Sequence, residues 1–213
     1  MDRSSRFWDR IAERYSRQPI ADESAYQKKL QVTREYLEPD MEVLEFGCGT
    51  GSTAINHAPH VRSIHAIDIS SKMIEIAQGK ADAAQIKNIT FERSTVDELT
   101  VPDQSLDAVL GLSILHLLDN REEVIAKVCT MLKPGGVFVS STVCIGEISK
   151  LLKIVAPLGK LFGLTLRVFT SRELEDGLAD AGFAIDYQWR PGDGKSVFIV
   201  AKKAEYSETR TVP

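Results

Sequence analysis

Val43-Leu44-Glu45-Phe46-Gly47-Cys48-Gly49-Thr50-Gly51 is a short apolar run closed by three glycines at alternate positions. A run this short reads as a buried strand, and residues 52 to 57 continue as a helix, so the glycines occupy a strand-to-helix turn. Glycine there permits positive φ and lets a ligand lie against bare backbone. The next apolar run, Ile64 to Ile69, places Asp68 near its end, 19 residues beyond Gly49. A carboxylate at that point can accept both hydroxyl hydrogens of a ribose. A dinucleotide fingerprint needs glycine or alanine three positions after the second glycine, and Ser52 stands there instead. Glu45, two residues before Gly47, puts an acid where a pyrophosphate is repelled and a cationic ligand favoured. The glycine triplet alone fits a structural turn equally well; strand, helix, Glu45 and Asp68 in that order point to a ligand.

Outward from this turn the chain alternates. After the Ile64 run comes a helix over residues 71–84 with Met73, Ile74 and Ala77, then strands over 89–93 and 106–112. A helix over 121–132, the turn Lys133-Pro134-Gly135-Gly136 and a strand over 137–142 follow. Such alternation means βαβ units, hence a parallel sheet with helices on both faces. A helix with Leu174, Leu178 and Ala181 ends at Gly182. Two last runs, 183–189 and 196–201, flank Arg190-Pro191-Gly192-Asp193-Gly194, turn chemistry that predicts an antiparallel hairpin. The reading is an α/β, Rossmann-like, mostly parallel seven-stranded sheet. Ahead of it, residues 3–37 read as two helices parted by Pro19, the second with Tyr26, Leu30, Thr33 and Leu37 on one face.

The chain resembles the class I S-adenosylmethionine-dependent methyltransferases, and within them the small-molecule branch of the ubiquinone and menaquinone biosynthesis type. The carriers are Glu45 to Gly51, Ala66-Ile67-Asp68-Ile69-Ser70, Val101-Pro102-Asp103-Gln104-Ser105-Leu106-Asp107 and Leu132-Lys133-Pro134-Gly135-Gly136. The resemblance runs from about Phe7 to Lys202. It implies S-adenosyl-L-methionine as cofactor, with the loop of Glu45, Phe46, Gly47, Cys48, Gly49 and Gly51 holding the methionine part. Asp68 is implied to bind the ribose, Ile69 and Met73 to pack on the adenine, and Leu112 to line the site. The family's adenine-binding acid aligns with Thr95, so Asp97 or the backbone around Val96 is expected to take over that contact; Asp97 also reads as a helix cap or a solvated acid. The resemblance implies a helical lid over residues 1–40, the catalytic domain over 41–203 and a frayed tail over 204–213. Phe7, Trp8 and Tyr15 are then placed over the site, where aromatics exclude water and favour a sulfonium. Tyr15 is the preferred contact, while Trp8 serves equally as a staple of the helix.

Methyl transfer from a sulfonium is an in-line displacement with an activated donor, so positioning and exclusion of water supply much of the catalysis. Oxygen or nitrogen acceptors must still shed a proton. His116 is the candidate base, because Leu112-Ser113-Ile114-Leu115-His116 follows the strand that ends beside the glycine loop. A histidine that packs the next turn is the plainer alternative. His57, His60 and His65 read as structural or exposed. Ser113-Ile114-Leu115-His116 is neither the Asn/Asp-Pro-Pro-aromatic motif of adenine methylation nor a Pro-Cys nucleophile, and Asp119 is the only nearby acid, so no metal is expected.

The insert over 145–168 leaves the strand over 137–142 on the site's side. It is apolar and carries Lys150, Lys153, Lys160 and Arg167 against Glu147 alone. That suits a hydrophobic acceptor, including a lipid or quinone precursor at an anionic membrane surface; a lid helix with solvated lysines fits the pattern as well. The expected function is a methyltransferase of a small or lipid-like acceptor, with a protein or peptide carboxylate acceptor, or a non-catalytic S-adenosylmethionine-binding regulator, as alternatives. Composition agrees: 213 residues, 43% hydrophobic, with a net charge of −4, make one ordinary globular domain with no general attraction for nucleic acid. Cys48, Cys129 and Cys144 show no CxxC spacing, which predicts a reduced, cytoplasmic setting. Oligomeric state is not legible in these residues.

Overall fold

The apolar runs fold as strands β1 (Glu42–Phe46), β2 (Ser63–Asp68), β3 (Ile89–Arg93), β4 (Leu106–Leu112), β5 (Leu132–Val143), β6 (Phe183–Trp189) and β7 (Ser196–Lys203). Between and around them lie helices α1 (Arg3–Ser16), α2 (Glu23–Arg34), α3 (Ser52–His57), α4 (Ser71–Ala83), α5 (Arg121–Met131) and α6 (Ser171–Asp180). The computed structural model describes residues 3–144, 167–192 and 194–205. The strands form one sheet in the order β3-β2-β1-β4-β5-β7-β6. β1 to β5 run parallel, and β7 inserts antiparallel between β5 and β6. The fold class expected from the alternating pattern is therefore present, hairpin included.

Side-chain alternation along the strands builds a core on each face. One face gathers Leu44, Val109, Phe138 and Ile199 against Ile125 and Val128 of α5 and Leu174 and Leu178 of α6. The other gathers Val43, Leu110, Val139 and Phe198 against Val32 of α2 and Ala54 of α3. Burial on both sides is why the central strands read as nearly unbroken apolar runs.

Two details depart from the pattern reading. The Lys133 to Gly136 turn lies inside β5, because Leu106 pairs with Leu132 and Ala108 with Val137, so the intervening residues bulge out of register. Lys133 Nζ donates to Asp107 Oδ1 at 2.6 Å across that bulge. The second helix stops at Arg34, short of Leu37, since Pro39 disfavours helical backbone at Glu38 and the chain turns ahead of it. The insert over 145–168 falls outside the described residues except for Arg167 and Val168. Among the described residues no helix is long and apolar enough to cross a membrane.

Candidate active site

The chain order reverses at β1, which has β2 on one side and β4 on the other. In open α/β sheets the ligand crevice opens at the carboxyl ends of the strands at such a reversal, and here the glycine turn fills that place. Gly47, Gly49 and Gly51 all have positive φ, at 65°, 53° and 75°. Gly51 is the left-handed N-cap of α3, and a Cβ there would stand 2.8 Å from Ala77 Cβ, so helix α4 approaches only because the side chain is missing. At Gly49 a Cβ would meet, among the described residues, only Tyr15 Cε1, at 3.9 Å: this side of the loop faces the cleft.

The loop is pinned from outside. The Cys48 amide donates to the Ile67 carbonyl at 3.0 Å, and the Gly49 amide to Asp68 Oδ2 at 2.9 Å. Lys80 Nζ on α4 donates to Thr50 Oγ1 at 2.9 Å. Asp68 Oδ1 accepts the Ser70 amide at 2.9 Å, which leaves lone pairs on both oxygens for a further donor.

Glu45 is 3% exposed, and its Oε2 is buried without a hydrogen-bond partner. Burial first, then the neighbouring Asp68, pushes its carboxyl up to about 8. Asp68 is also raised, by burial, although the Ser70 and Gly49 amides work against the shift. Asp68 raises Glu45 further, and Asp9 raises Asp68. Cys48 is buried beside them, and burial, Glu45 and Asp68 push its thiol well up, so it is no nucleophile. Tyr15 of α1 brings its ring edge to the loop while staying about half exposed, at 48%; partial desolvation and Asp68 raise its phenol. With its carboxyl raised to about 8, Glu45 holds its proton near pH 7, and a cationic ligand lying on the bare backbone would draw that proton off and pair with the buried carboxylate.

One strand over, β4 ends at Leu112 and Ser113 turns at φ 59°, its amide donating to the Ser141 carbonyl at 2.7 Å. The 3-10 turn Leu115–Leu117 then carries His116, whose Nδ1 is buried without a partner. Burial pulls its pKa down to about 4, so the ring is neutral near pH 7.

The structure brings Glu45, Gly49, Asp68 and Tyr15 together as expected from the motif. Phe46, 3% exposed, backs the loop with its ring against Gly111, where a Cβ would stand 2.5 Å away. Ile69 is partly exposed, whereas Met73 is enclosed at 2% exposure. The Thr95 hydroxyl accepts the Glu98 amide while Glu98 Oε2 accepts the Thr95 amide, a reciprocal cap next to buried Val96. Asp97 Oδ2 accepts from Asn120 Nδ2 at 2.9 Å. His57 is wholly buried with neither ring nitrogen partnered, and His65 Nε2 lies 2.8 Å from Glu92 Oε2. Sequence reasoning missed Asp9, whose Oδ1 accepts from Ser70 Oγ at 2.7 Å and from the Lys72 amide at 3.0 Å. An aspartate on an amphipathic helix carries no signal of a partner 61 residues away.

Residues 37–177 match a family described as "Methyltransferase domain". The demethylmenaquinone methyltransferase of Tropheryma whipplei is 36% identical over 121 residues, 57% of this chain and 47% of that protein. The malonyl-[acyl-carrier protein] O-methyltransferase of a Paenibacillus species is 30% identical over 156 residues, 68% of this chain and 56% of that protein. The chain thus spans about half the length of these curated relatives. The crystal structure of YcgJ from Bacillus subtilis shares the fold, with a TM-score of 0.72 at 18% identity over 84% of this chain and 99% of that one.

Proposed function

Because the chain belongs to the methyltransferase-domain family, we propose that it transfers a methyl group from S-adenosylmethionine to a small, hydrophobic or lipid-like acceptor. The cofactor is that of the family. The observation that carries the reading is the buried Glu45 carboxyl beside Asp68, its Oε2 without a hydrogen-bond partner among the described residues. A ligand with an ammonium and a sulfonium stabilises the ionised form of this pair, whereas a pyrophosphate opposes it.

Bound there, S-adenosylmethionine supplies a methyl group already activated on sulfur for in-line attack. The protein's part is holding and shielding. Asp68 uses its remaining lone pairs for the ribose hydroxyls while its other contacts brace the loop. Gly49 lets the methionine part lie on backbone, and Glu45 offers its free oxygen to the positive end. Ile69, Met73, Val96 and Leu112 would pack on the cofactor's adenine side and line the site. Asp97, exposed and held by Asn120 through Oδ2, or the backbone around Val96, would meet the adenine edge. Tyr15, about half exposed at 48%, would shield part of the loop from water.

His116, in the turn that follows β4, is the group proposed to take up the acceptor's proton or orient its hydroxyl. As a base near 4 it is weak, so it assists only while the nucleophile loses its proton. The same weakness favours a second reading, a carboxylate acceptor, which arrives already deprotonated; the malonyl-[acyl-carrier protein] relative bears a name of that kind. The quinone-type relatives' names support the lipid-like acceptor, and the basic, apolar insert supports contact with a membrane surface. Calorimetric titration with S-adenosylmethionine, S-adenosylhomocysteine and NADH in parallel tests the premise. Micromolar binding of the first two alone is expected, followed by product formation with a phenol, a hydroxylated quinone or an acyl carboxylate. Binding of NADH alone overturns it.

A further inference from the structure

We propose that Asp9 is a positioning residue for the cofactor site, latching helix α1 onto the N-terminus of α4 and so holding Tyr15 over the glycine loop. The proposal rests on the cofactor reading above and extends it to a residue outside every motif.

The latch is one continuous run of hydrogen bonds. The Gly49 and Ser70 amides donate to the two oxygens of Asp68, at 2.9 Å each. Ser70 Oγ accepts the Met73 amide at 3.1 Å as the N-cap of α4, which commits its proton outward, to Asp9 Oδ1 at 2.7 Å. The same oxygen accepts the Lys72 amide at 3.0 Å, so Asp9 takes one of the orphan donors of the first turn of α4 from outside the helix. A negative charge there also meets the positive end of the α4 dipole. Asp9 is therefore joined to Gly49 through Ser70 and Asp68 alone, with no flexible link between.

Helix α1 packs along α4, with Phe7, Trp8 and Ile11 half-buried. Of its fourteen residues only Ser5 and Ala12 are buried. Ser5, Asp9 and Ala12 share one face, and they are the face that docks. A single helix of this length is marginal in water, so it persists by tertiary contact. Tyr15 sits one turn past Ala12 with Trp8 edge-on to its ring at 6.5 Å, and its Cε1 stands 3.9 Å from where a Gly49 Cβ would lie. Whatever loosens Asp9 releases the aromatic cover while the sheet, the glycine loop and Asp68 stay in place.

The test compares the wild type with Asp9→Ala and Asp9→Asn in the full chain. Asparagine keeps the Oδ1 that both bonds use; alanine removes it. Asp9→Ala is expected to weaken S-adenosylhomocysteine binding by about fivefold to twentyfold. Amide hydrogen exchange of residues 3–16 should quicken in that variant while strand amides of β1 and β4 exchange as in the wild type, which shows the domain intact. Asp9→Asn should restore both. Wild-type exchange in the alanine variant, wild-type affinity despite a freed helix, or equal damage from alanine and asparagine each overturn the proposal. Should the wild type itself bind no S-adenosylhomocysteine, the cofactor reading fails, and the exchange of residues 3–16 still decides the latch on its own.

Discussion

Asp68 Oδ2 accepts the Gly49 amide at 2.9 Å, joining the end of β2 to the centre of the glycine loop. The residue that the motif assigns to a ribose thus also braces the backbone on which the ligand lies. Its other oxygen accepts the Ser70 amide, so neither oxygen tolerates replacement by a donor.

Asp68→Ala should accordingly weaken S-adenosylhomocysteine binding by about 1.5 to 3 kcal/mol, through lost charge-assisted bonds and a loosened loop. Asp68→Asn should be similarly impaired, because its amide nitrogen would face one of two backbone donors. Calorimetry on both variants checks this; unchanged affinity in either would remove Asp68 from the ribose.

Glu45 trades stability for binding. With its folded pKa raised to about 8 from 4.5, the folded protein holds a proton that the unfolded chain releases, so stability falls as pH rises through that window. Glu45→Gln should raise stability at pH 8 by an amount on the order of 3 kcal/mol and weaken cofactor binding about tenfold. Urea denaturation at pH 5 and pH 8 reads the first effect, which should be small at the lower pH. A variant that loses stability at pH 8 would contradict the assignment.

His57 works in the opposite direction. Its folded pKa of about 4, lowered by burial and then by Arg34, lies below the ordinary 6.5, so the unfolded chain takes up the proton first as pH falls. Stability should be full above 6.5 and should decline by roughly 3 kcal/mol towards pH 4. His116 adds to the same slope, so His57→Leu should flatten it in part. An unchanged acid slope in that variant would exonerate His57.

His116→Ala should lower kcat about tenfold or more with a hydroxyl acceptor while S-adenosylhomocysteine affinity holds. Because the ring stays neutral down to about 4, no acid limb from this group should appear between pH 6 and 9. Steady-state rates over that range, with wild type and variant, give the answer. Equal turnover would leave His116 a packing residue and favour the carboxylate acceptor.

The candidate cleft's framework was legible because its signals are local. Three alternating glycines, Glu45 ahead of them and Asp68 at the next strand end need only the strand-loop-helix context to be read, and the structure gives that context to within a residue at the element ends. Thr95 announced a departure from the family pattern, and the structure uses it in a cap with Glu98. Asp107 belongs to a motif too, yet it accepts from Lys133 and the Glu42 amide at the amino end of the sheet, away from the cleft. Adjacency in a motif does not say which end of a strand a residue occupies.

What the sequence determined by itself, among the described residues, is the set of elements and the strand-glycine-helix turn with Glu45 and Asp68 beside it, since period-2 and period-3.6 patterns and glycine spacing act over a few residues. What only the tertiary structure decided is who meets across the fold. The strand order places β2 and β4 on either side of β1, buries Glu45 between them, encloses His57 behind α2, and brings Asp9 of α1 to Ser70. Those outcomes depend on desolvation and on contacts between distant segments, and neither is written in the neighbourhood of any one residue.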